Sequence, residues 1–341
     1  MPNTPPRRVT TNDVAREAGV SRATVSYVLN DAPNQRISEA TRESVRAAAK
    51  RLGYEPSAAA RVLRLGRSDL VVMVLPDVPL GAAMVQFMRR LSTALHRLDR
   101  ALVVHPLPRG AEDARHLWHV LSPGAALRMD GHGSRDAELF RHLGIPAARV
   151  VYSREELAQA QAEDDGCVLV LPNEACGLLQ VQCVVNAGHH RLAYAYPSDR
   201  SLAPWAEPRL AGVREGCAER GLDAPEVTTV SDDLSSCRAA ARAWVQSGVT
   251  AVCAYNDDLA IALLEAAAIE GIAVPQDLAV IGVDDVPAAA TSTPPLTTVG
   301  FEAAGLVDAF ARRLVQAMDS GEIACHEAFA ASTRLVRRDS V

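Results

Sequence analysis

The sequence predicts an α/β protein: a three-helix helix-turn-helix module at the N-terminus, a short linker helix, and a large two-lobed unit of parallel sheets. Three observations carry this. The 341 residues are too many for one small core and suit two or three units. Charge is divided, with 12 Lys/Arg and 6 Asp/Glu in residues 1–68 against 23 and 35 in residues 69–341, so a basic head precedes an acidic body. Beyond Ser68, short apolar runs alternate with stretches of helical spacing. The expected boundaries are 1–56 for the helical head, 57–68 for the linker helix and 69–341 for the body.

In chain order, Thr10-Thr11-Asn12-Asp13 has the form of a capping box, with Asp13 reaching back over the start of a helix. Val14, Ala15 and Ala18 then share one face, and Gly19 suits the left-handed residue that stops the helix and turns the chain. Ser21 caps a second helix, Arg22 to about Leu29, in which Val25 and Val28 face inward with Val20. The small Ala15 lets the two helices cross closely. A third helix, Ser38 to Leu52, ends at Gly53; Val45, Ala49 and Leu52 complete a small core and leave Arg42, Arg46, Lys50 and Arg51 for solvent or phosphate.

This spacing is that of a DNA-binding helix-turn-helix. Its second helix turns Arg22, Ala23, Ser26 and Tyr27 outward, and its first-turn N–H groups suit phosphate. Arg22 fits a guanine edge, Ala23 a thymine methyl, and Tyr27 a base edge or the backbone. The inner residues would serve a plain helical hairpin equally well. In the stretch from Tyr54 to Ser68, Pro56 breaks the chain direction and Ser57 caps a short helix ending near Gly66. Such a helix does not persist alone in water, so it needs DNA or the same segment of a second subunit as its partner.

After Ser68 the runs at 69–76, 101–107, 148–152, 167–172, 191–197, 251–256 and 278–285 read as strands. Between most of them lie helical stretches such as "AMVQFMRRLSTALHRL" and "NDDLAIALLEAAAIEG". This alternation predicts parallel sheets covered on both faces, and about 270 residues suit two lobes with a ligand between strand C-termini.

"VTTNDVAREAGVSRATVSYVLN" followed by "RISEATRESVRAAAKRLGYEPSAAARVLRLGRS" resembles the headpiece and hinge of the LacI/GalR family of bacterial repressors over about sixty residues. The resemblance implies a headpiece whose second helix reads the major groove and hinge helices that meet in the minor groove of operator DNA. The reading positions fall on Arg22, Ala23 and Tyr27, the hinge alanine on Ala60, and a leucine that wedges into the central base step on Leu63. Thr10, Ser21, Thr24, Ser26, Asn30 and Arg64 complete the expected DNA-contacting set. From about Gly144 to Val299 the body resembles the family's sensor domain, which has a periplasmic-binding-protein-like fold; from Pro76 to Arg141 the match fades. On the resemblance, Arg209 clamps an effector, with Asn256 and Asp284 as further contacts, and Trp205 offers a ring surface. A guanidinium beside an amide and a carboxylate suits neighbouring hydroxyls. Asn256 and Asp257 also read as caps of the following helix, Asp284 as closing a turn, and Asp285 as a cap. Two positions depart from sugar-responsive members: Pro172 stands where an acid is usual, and Leu234 where an aromatic ring stacks on the sugar.

No apolar run approaches the ~20 residues of a membrane span, and the proline-rich start lacks a signal-peptide core, so a cytoplasmic protein without membrane partners is expected. The seven cysteines form no CxxC pair and read as reduced core residues. "DGHG" and "GHHR" lack metal-site spacing, and no nucleophile elbow or P-loop is present, so no catalytic residue, metal or cofactor is expected. The resulting expectation is a homodimeric regulator, a repressor, that binds near-palindromic double-stranded operator DNA under a small-molecule effector such as a sugar or sugar derivative. Two readings stay open beside it: a body that responds to a protein partner or to nothing, and a sugar-modifying enzyme with a basic appendage. If Leu63 is the wedge, Leu63→Ala will weaken binding to a specific site far more than binding to random duplex, in paired fluorescence-anisotropy titrations. Equal loss on both removes the wedge.

Overall fold

The first three helices start and stop where their caps stand. A computed structural model describes residues 9–29, 36–54, 62, 66–75, 77–106, 115–129, 135–162, 167–302, 304–320 and 328–341, and the chain divides into two units, Met1–Ser68 and Asp69–Val341. In the first unit, α1 (Thr11–Ala18) opens on the capping box: Asp13 accepts the Thr10 N–H at 2.9 Å and the Thr10 hydroxyl at 2.6 Å. Gly19 ends it at φ +67°, in the left-handed region. In α2 (Arg22–Leu29) the Ser21 hydroxyl accepts the Thr24 N–H at 3.0 Å. In α3 (Glu39–Leu52) Ser38 does the same for Thr41, and Gly53 closes the helix.

Val14, Ala15, Val25, Val28, Val45, Ala48 and Ala49 form the core of this unit, with Leu52 and Tyr54 against it. The Tyr54 hydroxyl meets that of Thr11 at 2.9 Å and ties the end of the module to its start. Not every base of α3 is left to solvent: Arg51 is held by Glu17 at 3.1 Å, and Arg46 stands 4.0 Å from Glu39. Of the expected linker helix, only Val62 and residues 66–68 are described; the Gly66 N–H bonds to the Val62 carbonyl at 2.7 Å.

The second unit holds two six-stranded sheets. The first lobe is built from β1 (Leu70–Leu75), α4 (Ala82–His96), β2 (Ala101–Pro106), α5 (Arg115–Leu121), β3 (Ala125–Arg128), α6 (Arg135–Leu143), β4 (Ala147–Val151), α7 (Arg154–Ala162) and β5 (Cys167–Val170). The chain then enters the second lobe through α8 (Asn173–Asn186), β6 (Leu192–Pro197), α9 (Ala203–Glu219), β7 (Glu226–Val230), α10 (Leu234–Ser247), β8 (Ala251–Ala254), α11 (Asp257–Glu270), β9 (Ala279–Val283) and β10 (Thr297–Glu302). It returns to the first lobe for α12 (Ala304–Ser320) and β11 (Ala328–Ala330), and finishes in the second with β12 (Ser332–Val336). The strand orders are β11-β5-β4-β3-β1-β2 and β12-β10-β9-β8-β6-β7. Every described pairing is parallel except that of β10 with β12.

Parallel strands must be apolar on both faces because helices cover both. In β1, Val71, Met73 and Leu75 join the large core with Leu91 and Leu95 of α4, while Val72 and Val74 pack with Trp118 and Phe140. Five strands lie outside the seven runs singled out above. The short β3 is masked by Arg128, a buried arginine in register with buried Arg149 of β4. Edge strand β7 reads "EVTTV" and is mostly exposed, and β10–β12 are polar or short. The six described cysteines are all buried, and none of them is in a disulfide. Among the described residues no helix is long and apolar enough to cross a membrane.

One helix crossing fixes the geometry that follows. A Cβ on Gly177 of α8 would lie 2.1 Å from the Arg209 carbonyl oxygen of α9, and one on Gly212 would lie 2.0 Å from that of Glu174. The two backbones are in contact, so only glycine fits. Gly→Ala inside a helix ordinarily gains up to about 1 kcal/mol. Here overpacking reverses the sign, and Gly177→Ala or Gly212→Ala should cost about 1–3 kcal/mol or more in urea unfolding. Gly305, whose Cβ would meet nothing within 4 Å, supplies the control: Gly305→Ala should be neutral or stabilising.

Candidate functional site

In the first unit, α2 is pinned by Val25 and Val28, which are at most 1% exposed. The opposite face, Arg22, Ala23, Ser26 and Tyr27, is open, with Tyr27 at 40% exposure. Thr10 stands exposed at the start of α1, Ser21 at the start of α2, and Thr24 is partly buried with its hydroxyl 2.9 Å from that of Ser21. Asn30, Ala60, Leu63 and Arg64 lie outside the described residues.

In the second unit, a cavity of about 450 Å³ lies where the C-terminal ends of the strands of both lobes converge. Such convergence is where open α/β sheets hold ligands. Arg209, Asn256, Asp284 and Trp205 all line it, although they come from different elements. Arg209 lies in the first half of α9, at the glycine crossing, and is only 4% exposed. Its Nε donates to Asn173 Oδ1 at 3.0 Å, its Nη1 to the Tyr255 carbonyl at 2.7 Å, and its Nη2 to Asp284 Oδ1 at 3.1 Å. The Tyr255 ring centroid lies 5.1 Å from the guanidinium carbon. Burial opposes the Arg209 charge, but Asp284 together with Tyr255, Cys176 and Tyr194 outweighs it and holds the pKa above the ordinary arginine value. A buried cation needs this full set of partners.

Asp284 reaches Arg209 from a backbone at φ +117°, and Asp285 follows at φ +51°. Non-glycine residues rarely stand in this region, and each costs about 1–3 kcal/mol unless its surroundings enforce it. The enforcement is visible: the Asp284 N–H bonds to the Val299 carbonyl at 2.8 Å, and Asp285 is gripped by Arg334 and Arg338, each at 2.7 Å. Asp285 is therefore fixed by these two arginines.

Asn256 is the N-cap of α11, its Oδ1 accepting the Leu259 N–H at 3.0 Å, and only its Nδ2 end is left toward the cavity. Asp257 does not cap. Its side chain is buried, with Oδ1 accepting the Thr298 hydroxyl at 2.5 Å and Oδ2 the Val286 N–H at 2.9 Å. Burial, aided by Asp284 and Asp285, pushes its pKa up to about 8. Trp205 is 7% exposed and meets Tyr152 of the first lobe edge-to-face at 4.8 Å. Leu234 stands at the first turn of α10, 38% exposed, and Pro172 precedes Asn173 of α8; neither lines the cavity.

Several residues of the site escaped the sequence reading. Asn173 joins the lobes, donating Nδ2 to the Tyr152 carbonyl at 2.9 Å while accepting from Arg209. Met84, Phe87 and Arg90 share one face of α4, in the region where the family resemblance fades. Asp199, Asp232 and Asp258 follow β6, β7 and β8, as the expected Asp284 follows β9. A signal for these aspartates existed: each of β6, β7, β8 and β9 is followed within four residues by aspartate. Among the described residues no group of three His, Cys, Asp or Glu could hold a metal ion.

Comparison with known proteins agrees with both units. Residues 10–57 match the model of bacterial regulatory proteins of the lacI family, and residues 181–341 that of a periplasmic binding protein-like domain. The HTH-type transcriptional regulator GalS of Salmonella typhimurium is 31% identical over 339 residues, covering 98% of this chain and 96% of the relative. MalR of Streptomyces coelicolor is 30% identical, with 96% and 95% covered. Among solved structures, the lac repressor dimer bound to operator and the anti-inducer ONPF superposes with a TM-score of 0.78 at 25% identity, covering 98% of this chain and 99% of that one. A CelR–cellobiose complex shares the fold, with a TM-score of 0.67 at 24% identity over 98% and 100% of the chains.

Asp257 also sets a pH dependence. Folded, it keeps its proton up to about pH 8, whereas the ordinary value is 3.8. Folding therefore takes up a proton between these limits, so its contribution to stability falls as pH rises from about 4 to about 8 and levels off above. Asp257→Asn, neutral throughout, should gain on the wild type steadily from pH 5 to pH 8 in urea unfolding. A gap independent of pH contradicts the assignment.

Proposed function

The chain belongs to the lacI family of bacterial regulatory proteins, and on that premise we propose that it works in the cytoplasm as a homodimeric repressor of a near-palindromic operator, controlled by a small hydroxylated effector of the sugar class. It is a DNA-binding transcriptional regulator, and its relatives are regulators rather than enzymes.

The observation that carries the DNA reading is α2 itself: two buried valines hold it while Arg22, Ala23, Ser26 and Tyr27 face outward. Arg22 suits a bidentate guanine contact and Ala23 a thymine methyl, with Tyr27 as third reader. Thr10, Ser21, Thr24 and Ser26 position the module on phosphates. Asn30, Ala60, Leu63 and Arg64 are assigned the remaining contacts. Division at 1–56, 57–68 and 69–341 into reader, hinge and effector domain accords with the two units. A two-fold dimer then demands a two-fold related pair of half-sites.

The effector reading rests on the cavity and on Arg209, Asn256, Asp284 and Trp205 within it. The ion pair, the amide and the indole together suit a hydroxylated ring. A ligand between the lobes acts by favouring one degree of closure over another. Closure changes the separation of the two hinge helices, which are marginal alone and lose their grip on DNA when moved apart.

Selection from a randomised duplex pool with the full chain tests this. The enriched sequences should show two-fold symmetry, and log affinity should fall steeply with log salt as Arg–phosphate contacts release counterions. Arg22→Ala should relax preference at one symmetry-related pair of positions, losing roughly 1–3 kcal/mol of discrimination there. An unenriched pool or a flat salt dependence refutes the reading.

A further inference from the structure

Among the described residues the ionisable groups around the cavity do not balance: three arginines and five aspartates line it. Arg209 is joined to Asp284, and Arg334 to Asp285, which also holds Arg338. Asp199 accepts the N–H and hydroxyl of Ser201 at 2.9 and 2.6 Å. What remains is Arg90 on α4, one positive charge, against Asp232 after β7 and Asp258 at the start of α11.

Both carboxylates are exposed, and neither has an ion-pair partner among the described residues; Asn256 Nδ2 donates to Asp258 Oδ2 at 3.5 Å, and Asp258 lies beside Gly81 at the start of α4. They also sense each other: burial, then the charge of Asp232, raises the Asp258 pKa. Met84, Phe87, Trp205 and Tyr255 line the same cavity, and two like charges there favour a cation over a neutral or anionic group. Meanwhile the Arg209 guanidinium is spent on protein acceptors, so the second-lobe wall offers little to an anionic ligand.

Resting on the reading of this cavity as the effector site, we propose that the effector carries a protonated amine on a hydroxylated ring, as an amino sugar does, and that Asp232 and Asp258 select for it. An ammonium brings three donors and no acceptor, which matches two carboxylates. The ring hydroxyls find Asn256 Nδ2 and the second oxygen of Asp284. The apolar face of the ring lies on the aromatic walls, and a cavity of about 450 Å³ accommodates one or two such rings.

Titration calorimetry of the full chain at pH 6.5 tests this with D-glucosamine, D-galactosamine and D-mannosamine against D-glucose, D-galactose and D-mannose. At least one aminated sugar should bind about tenfold or more tightly than its neutral parent, the scale of a charge-assisted hydrogen bond. Asp232→Asn or Asp258→Asn should shrink that ratio to about threefold or less, and unliganded melting curves verify that both variants fold. Equal affinity within each pair, or a preference for the neutral member, overturns the amine proposal and leaves a sugar effector standing. No binding by any of the six overturns the sugar reading together with it.

Discussion

The contact of α8 with α9 is the constraint on which the effector unit is organised. Two glycines, Gly177 and Gly212, let the helix backbones touch, each Cβ position lying about 2 Å from a carbonyl of the other helix. That approach sets Asn173, the first residue of α8, beside Arg209 of α9 at 3.0 Å. Asn173 lies directly after the first passage between lobes and also bonds to the Tyr152 carbonyl of the first lobe. One amide thus bears on the joint of the lobes and on the guanidinium at the cavity floor. A wider crossing would separate the two and leave a buried charge with fewer partners, a far costlier state than a merely looser core.

The second lobe concentrates its polar chemistry at strand ends, and it does so at a conformational cost. Asp284 and Asp285 both stand at positive φ. Arg209 grips the first, and Arg334 and Arg338 the second. Asp257 lies beneath them, buried and bonded to Thr298 and Val286. Strain, a buried acid and an ion pair set side by side do not serve stability. Gathered beside a cavity, they hold side chains in fixed directions toward whatever enters it.

Legibility followed local chemistry. Caps and glycine stops placed all three helices of the first unit within a residue, because Thr10, Ser21, Ser38, Gly19 and Gly53 act on their own neighbours. The strands that showed were the apolar ones; β3 hid behind Arg128, and β7 behind a run of threonines that an edge strand tolerates. In the cavity, Arg209, Asn256 and Asp284 were reached through resemblance to a family, and their actual bonds were not. Asn256 caps α11, as one of its two readings had it, whereas Asp257 is a core residue, because burial depends on which strand lies opposite. Asp232, Asp258 and the α4 face become a set only when distant strand ends meet, which no local pattern encodes.

The threading of the body has a temporal side. Both sheets take an edge strand from residues 328–336: β11 completes the first lobe and β12 the second. Ser340 is buried between β9 and β10, accepting the Thr297 N–H and donating to the Val280 carbonyl. On the ribosome, then, the helical module emerges with every partner it needs, while each lobe waits with an open edge until these last residues are made. The basic head is ready to meet nucleic acid before the part that governs it exists in finished form.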